Sequence, residues 1–386
     1  MSSSNPAPAH PASLPARLPT LDGLRAVAIL IVVPHNLNLM VTFSGVAYLF
    51  VAGLDRGWIG VQLFFVLSGF LITGILLDAR DAPNYYRSFF LRRVLRIFPL
   101  YYATLLVLYV LLPALGLLPA SFKRDPIVEL SHWAYFSNSY GPFHQGGGPE
   151  AAGHFWSLAV EEQFYLLWPF VIHRRSPGWV MRLCLAIAVA SLLLRVGMLA
   201  TGMPTQAIYQ LLVTRMDALA LGGAAAAAFR IPSAASWTLN HRGFLLGAGL
   251  FSLVAGAVIS RAYSFSHTMT LSLGYTFLSV AFALLVAAGV AADHLGPAGW
   301  LGVLRWTFLR RVAKYSYAMY VLSVPLHFLA GKPALSALGL DAGSSVLVGF
   351  GYIVVGTALS FLAAAASFHF LEVHFLNLKD RFAPPL

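Results

Sequence analysis

The stretch LDGLRAVAILIVVPHN (Leu21–Asn36) decides how the chain is read. Asp22 and Arg25 stand at the edge of an apolar run that continues to Val33, and His35 follows Pro34. The run starts too far from the N-terminus and is too long for a cleaved leader, so it reads as an uncleaved first membrane span. Ten residues separate Arg25 from His35. At a helical rise of 1.5 Å per residue this places the histidine roughly 15 Å deeper than the arginine, near the middle of a ~30 Å hydrocarbon layer. Ten steps of about 100° also put the two side chains on different faces. Arg25 would serve the membrane surface and His35 the interior. An imidazole at that depth either hydrogen-bonds between helices or takes a proton from a hydroxyl. Pro34 can kink the helix and free backbone carbonyls.

The whole chain has the same character. Of 386 residues, 59% are apolar and 10% charged, and the mean hydropathy is +0.75. Soluble domains carry about a quarter charged residues, so an ordinary soluble enzyme and a disordered chain are both excluded. Ten stretches approach the ~20 apolar residues a spanning helix needs. They lie near 24–45, 58–77, 98–118, 155–172, 180–200, 208–229, 243–260, 269–291, 315–331 and 345–368. The expected fold is all-α, a polytopic bundle of about ten transmembrane helices. Residues 1–20, rich in Pro, Ala and Ser, form a disordered cytoplasmic tail. Residues 21–376 form the membrane domain, and 377–386 a second short cytoplasmic tail.

Charge supports that count. With both termini cytoplasmic, 18 of the 25 Lys and Arg fall inside and 5 outside, and Arg195 and Arg215 lie within spans. This is the positive-inside bias. The net charge of +11 is therefore read as cytoplasmic loops rather than as a nucleic-acid surface. The lone cysteine, Cys184, allows no disulfide. The histidines lack metal-ligand spacing, and no metal is expected.

Ionisable residues at membrane depth mark sites. Besides His35, the fourth span HFWSLAVEEQFYLLWPF (His154–Phe170) carries Glu161, Glu162 and Gln163, with Trp156, Ser157 and Tyr165 beside them. Adjacent carboxylates point about 100° apart, so at most one faces a given partner squarely. Arg215, at similar depth in the sixth span, is an available ion partner. Asp217 lies two residues on, on a different face. Between the second and third spans, the loop YYRSFFLRRVLRIFPLYY (Tyr85–Tyr102) interleaves arginines with aromatics. It either anchors a span among anionic lipids or clamps phosphates of a nucleotide-bearing donor. FFVLSGFLITG (Phe64–Gly74) offers small residues for close helix approach. The ninth span contributes Tyr315, Tyr317, Tyr320 and His327.

LDGLRAVAILIVVPH, FFVLSGFLITG, YYRSFFLRRVLRIFPLYY, FWSLAVEEQFYLLWP and TRMDALALGG (Thr214–Gly223), in this order, closely resemble the acyltransferase-3 family of multi-span membrane O-acyltransferases. The resemblance runs from about residue 20 to 330. It implies that Arg25 and His35 are essential, that Arg93 and Arg96 form the family's basic inner pair, and that Glu161 is its glutamate, with Glu162 as variable neighbour. It also implies an acyl-CoA donor, most often acetyl-CoA, with no permanently bound cofactor. The acceptor would be a carbohydrate or glycosylated hydroxyl, and the location a bacterial inner membrane.

On this reading His35 and Glu161 are catalytic, His35 as general base or acyl carrier. Arg25, Arg93, Arg96, Trp156, Glu162, Tyr165, Arg215, Asp217 and Tyr317 bind substrate, and Glu161 orients the imidazole or the acceptor, directly or through Arg215. Two departures touch the acceptor class. Ser323 stands where the family has histidine, with His327 one turn further on, and Glu372-Val373-His374 replaces a Glu-Arg-Pro-like motif. The rival reading is a transporter or flippase of a carbohydrate or lipid-linked intermediate. The absence of internal repeats counts against it.

Overall fold

The computed structural model describes residues 17–37, 52–118, 124–144, 150–265, 267–296, 299–340 and 345–382, and no strand occurs among them. Ten long helices dominate these described residues. They are α1 (Pro19–Asn36), α2 (Ile59–Asp78), α3 (Tyr85–Leu106), α4 (Trp156–Ile172), α5 (Pro177–Ala200), α6 (Leu212–Ala228), α7 (Arg242–Ile259), α8 (Tyr275–Leu295), α9 (Thr307–Leu326) and α10 (Val346–Ser367). Each of the ten apolar stretches overlaps one of these helices.

Among the described residues, seven helical segments are long and apolar enough to cross a membrane, namely those containing α2, α3, α5, α6, α7, α8 and α10. The remaining three fall short for a physical reason. α1 carries Asp22, Arg25 and His35, α4 has 17 residues and two glutamates, and α9 begins with Arg310, Arg311 and Lys314. These are the helices that bring polar groups together inside the bundle.

Burial ranks the layers. The apolar window of α2 is 72% buried, against 6% for the segment containing α10. α2 packs against α1, α6 and α8, while α9 lies between α1 and α10. The outer helices turn large apolar side chains such as Phe251, Val258 and Leu347 outward. In water such a surface would aggregate; against lipid tails it costs nothing. The protein is an integral, multi-pass membrane protein.

Helix approach depends on small residues. A Cβ on Gly69 of α2 would collide with the carbonyl of Leu219 on α6, and one on Gly222 with the carbonyl of Val66. Backbone-to-backbone contact of this kind is how membrane helices gain dispersion energy where water supplies no drive. Gly69→Val is therefore expected to lower the unfolding midpoint sharply in nanodiscs. The α2–α6 pair must separate, which costs at least about 1–3 kcal/mol of overpacking. A midpoint unchanged from wild type would show that this contact does not hold the bundle.

Two boundaries differ from the sequence expectation. The basic segment Tyr85–Tyr102 is helical throughout as part of α3, not a loop. Its arginines alternate with aromatic and aliphatic residues, so the helix can extend past the apolar layer with long side chains covering apolar surface. α9 begins at Thr307, eight residues before the expected span, because its first turns carry Arg310, Arg311 and Lys314, which are helical but too polar to be read as part of an apolar stretch. Residues 38–51, which include the expected end of the first span, lie outside the described residues, as do 1–16 and 383–386 of the two expected tails. Thr20 already belongs to α1: its Oγ1 donates to Asp293 Oδ1 at 2.6 Å and ties the start of the helix to α8.

Candidate active site

α1, α2, α3, α4 and α9 enclose a chamber of about 330 Å³. Each helix contributes polar groups: Arg25 from α1, Ser68 from α2, Arg93 and Arg96 from α3, Ser157, Glu161, Glu162 and Tyr165 from α4, and Ser316, Tyr317 and Tyr320 from α9. Phe64, Phe65 and Leu71 supply apolar wall.

On α4, Ser157, Glu161 and Tyr165 are spaced by four, so they form one stripe facing the chamber. Each meets a partner from another helix. Ser68 Oγ donates to Glu161 Oε1 at 2.6 Å. The Arg93 guanidinium lies 4.7 Å from the Tyr165 ring centroid. Ser157 Oγ and Tyr320 Oη are hydrogen-bonded at 2.5 Å, and Tyr320 Oη also donates to the carbonyl of His154 at 3.0 Å. The stripe thus runs from a cation at one end to a hydroxyl pair at the other, with the carboxylate between them. Glu162 faces the same space. Gln163 turns away, exchanging amide hydrogen bonds with Asn138 at 3.0 and 2.8 Å, and so pins a connecting helix to α4.

Beside the basic end lies a second cavity of about 280 Å³, a vestibule lined by Asp22, Arg25, Arg96, Arg310, Lys314 and Glu372. Arg25, Arg96 and Tyr317 line both spaces and form the threshold between them. Tyr317 is held there because its hydroxyl donates to the carbonyl of Ile97 on α3 at 2.7 Å. Arg93 lines the chamber alone, so the basic pair is divided: Arg96 stands at the threshold and Arg93 deeper, over Tyr165.

The other residues singled out from sequence lie elsewhere. His35 sits in the last turn of α1, ten residues from Arg25, and is absent from the described linings of both cavities. Its Nδ1 is 2.9 Å from the carbonyl of Leu54. A carbonyl only accepts, so Nδ1 carries a proton; in the neutral ring Nε2 then keeps the lone pair and is the nitrogen that can act as a base.

Arg215 does not pair with Glu161 or Glu162. It is fully buried, its Nη2 donates to Gln62 Oε1, and the rings of Tyr275, Tyr209, Phe65 and Trp156 surround it at 4.2–5.9 Å. Phe65, which also lines the chamber, stands beside the guanidinium, so the expected coupling of Glu161 through Arg215 is replaced by the contact with Ser68. Trp156 belongs to this aromatic cage rather than to the described chamber lining. Asp217 is likewise fully buried: it accepts from Arg195 Nη2 at 2.8 Å, and Arg195 also donates to Thr276 Oγ1 at 2.6 Å and to the carbonyls of Thr214 and Ser272. Arg215 and Asp217 do occupy different faces of α6, as their spacing requires.

Four contributors lie outside the site expected from sequence. Ser68 reads there as a packing residue, yet it holds the central carboxylate. Gln62 is not among the expected site residues, though a lone amide in an apolar span is a signal in itself. Arg310 and Lys314 read only as loop charge when α9 is expected to start beyond them.

A helical bundle with an apolar outer surface around a polar chamber with a basic mouth defines an integral membrane protein with a polar site in its interior. Residues 18–365 match the family described as "Acyltransferase domain", the acyltransferase-3 family, and the chain belongs to it. It is 31% identical over 377 residues to "Putative peptidoglycan O-acetyltransferase YrhL" of Bacillus subtilis, covering 92% of this chain and 54% of that protein. It is 26% identical over 394 residues to "Peptidoglycan O-acetyltransferase OatA" of Listeria monocytogenes (94% and 58%). It is 35% identical over 196 residues to "O-acetyltransferase OatA" of Staphylococcus aureus (46% and 29%). The chain thus spans about half the length of the first two relatives. No solved structure matches it.

Proposed function

We propose that the protein transfers an acyl group, acetyl in the first instance, from acyl-CoA to a hydroxyl of a carbohydrate or glycosylated acceptor across a bacterial inner membrane. The ten helices would all cross the bilayer, with both termini and the vestibule on the cytoplasmic side. One observation carries the reading: the cationic vestibule and the carboxylate-bearing chamber meet at a shared threshold of Arg25, Arg96 and Tyr317. A phosphate-bearing donor can be held at the mouth while its thioester reaches inward. Guanidinium forks suit phosphate, and a polar chamber inside a low-dielectric bundle strengthens each contact.

In this reading Glu161, held by Ser68, and Tyr165, against Arg93, position the thioester. His35 lies toward the opposite end of α1, where an acceptor arriving from the far side would present its hydroxyl. Nε2, which holds the lone pair, would take that hydroxyl's proton as oxygen attacks the thioester carbonyl and CoA leaves as thiolate. An acyl-imidazole formed first at the same nitrogen is the two-step version of this chemistry. Peptidoglycan, named for the relatives, supplies the model acceptor class.

The test is acyl-CoA-dependent transfer to a glycan by purified protein in nanodiscs. His35→Ala is expected to lower transfer by about 10²–10⁴-fold, the usual contribution of a general base, while still binding acyl-CoA. Wild-type turnover in His35→Ala would remove His35 from the chemistry. A wild-type protein that neither binds nor consumes any acyl-CoA, yet moves a glycan intermediate across vesicles, would replace the whole reading with transport.

A further inference from the structure

We infer that the inner end of α9 selects the donor: Arg310 and Lys314 recognise the phosphates of its nucleotide portion, so that the protein takes a nucleotide-bearing thioester in preference to a phosphate-free one. This rests on the acyl-CoA reading above and brings a further helix, with two cations, into donor recognition.

Spacing along α9 aligns the groups. Arg310 and Lys314 are one helical turn apart, Tyr317 lies one turn further, and Tyr320 the next. One face of α9 therefore passes from two cations through the threshold phenol to the hydroxyl pair inside the chamber. Arg25 and Arg96 reach the same vestibule from α1 and α3. Four cations thus meet two carboxylates, Asp22 and Glu372, in the described lining. Asp22 stands 3.6 Å from Arg25, and Glu372 accepts from Ser367 Oγ at 3.1 Å. The net positive charge calls for an anion.

Neither α9 cation is committed to an ion pair among the described residues. Arg310 Nη2 donates to the neighbouring Thr307 hydroxyl at 3.3 Å, a neutral partner on its own helix. Lys314 Nζ rests over the Phe368 ring at 4.2 Å. Phe368 and Leu376 add an apolar wall to the same vestibule, a surface against which a flat base can lie. Phe368 and Glu372 occur at the ends of the π-turn Phe368–Glu372, a local widening of helical geometry often found at functional sites.

Phosphate esters are the chemistry recognised, and an anionic lipid headgroup shares it. The threshold decides for the nucleotide. A ligand bridging Arg310 and Lys314 on one side and Arg25 and Arg96 on the other sits at the entrance to the chamber, where a long thioester arm extends inward.

The experiment compares acetyl-CoA, acetyl-dephospho-CoA and acetyl-pantetheine as donors for the full chain in nanodiscs. Wild type is expected to prefer acetyl-CoA. In the double variant Arg310→Gln/Lys314→Gln, the ratio of kcat/KM for acetyl-CoA over acetyl-pantetheine should fall about 10–100-fold, through KM rather than kcat. Removing one charge-assisted hydrogen bond to phosphate corresponds to about tenfold. Arg310→Lys/Lys314→Arg, which keeps both charges, should retain most of the ratio. Equal losses with every donor, leaving the ratio intact, would mean a structural role and overturn the proposal. A double variant that keeps the wild-type ratio but loses the wild type's difference in rate between phosphatidylglycerol and phosphatidylcholine nanodiscs would assign these cations to lipid, and also overturn it. A wild type inert toward acetyl-CoA would instead break the underlying donor reading.

Discussion

Glu161→Gln is expected to reduce acyl transfer by about 10²-fold, the scale of a misplaced substrate, while the protein folds and still takes up donor. Glutamine keeps the shape of the side chain and an oxygen that can accept from Ser68, so the contact linking α2 to α4 persists. What disappears is the negative charge in the middle of the chamber. There it lies between the Arg93–Tyr165 pair and the Ser157–Tyr320 pair. A charge in a bundle interior interacts more strongly than in water, so its removal acts on the reacting groups and not only on local packing. The measurement is single-turnover CoA release and acceptor acylation, with donor affinity measured separately. Ser68→Ala should have a smaller effect in the same direction, because it frees the carboxylate without neutralising it. Turnover within about threefold of wild type in Glu161→Gln would place the chemistry elsewhere.

Asp217→Asn is expected to destabilise the protein by about 3–5 kcal/mol, the usual result of stripping one partner from a buried ion pair. Arg195 would keep its carbonyl and hydroxyl acceptors but lose the only charge that compensates it among the described residues. Thermal or denaturant unfolding in nanodiscs reads the effect. Replacing both residues by apolar ones of similar size, Arg195→Met with Asp217→Leu, should recover much of the stability, since no uncompensated charge remains. The same variants separate the two roles open to Asp217. A core role predicts a lower unfolding midpoint with donor and acceptor KM unchanged at a temperature where the protein is folded. A substrate role predicts the reverse.

The helices are legible because hydropathy is written along the chain. Each apolar stretch overlaps a helix, and the expected small-residue contact at Gly69 is present. The third and ninth helices differ from expectation at their basic ends. Hydropathy windows end where charge begins, whereas a helix carrying Arg and Lys on one face continues past the apolar layer. Arg25, Arg93, Arg96, Glu161, Glu162, Tyr165 and Tyr317, expected from sequence to belong to the site, do line the two adjoining cavities. His35, Trp156, Arg215 and Asp217 do not. A polar residue in a span can as readily lock two helices together as face a substrate, and its own sequence neighbourhood does not distinguish the two.

What the amino-acid sequence determined alone was the class of solvent, the approximate places of the long helices, the family, and the polar residues too costly to leave unpaired in lipid. Only the tertiary structure decided which of those residues meet. Ser68 and Glu161 are 93 positions apart, Arg195 and Asp217 are 22 apart, and Tyr317 reaches Ile97 across 220. Such partners are chosen by which helix faces which, and that choice depends on glycine contacts and apolar burial summed over the bundle rather than on any local pattern.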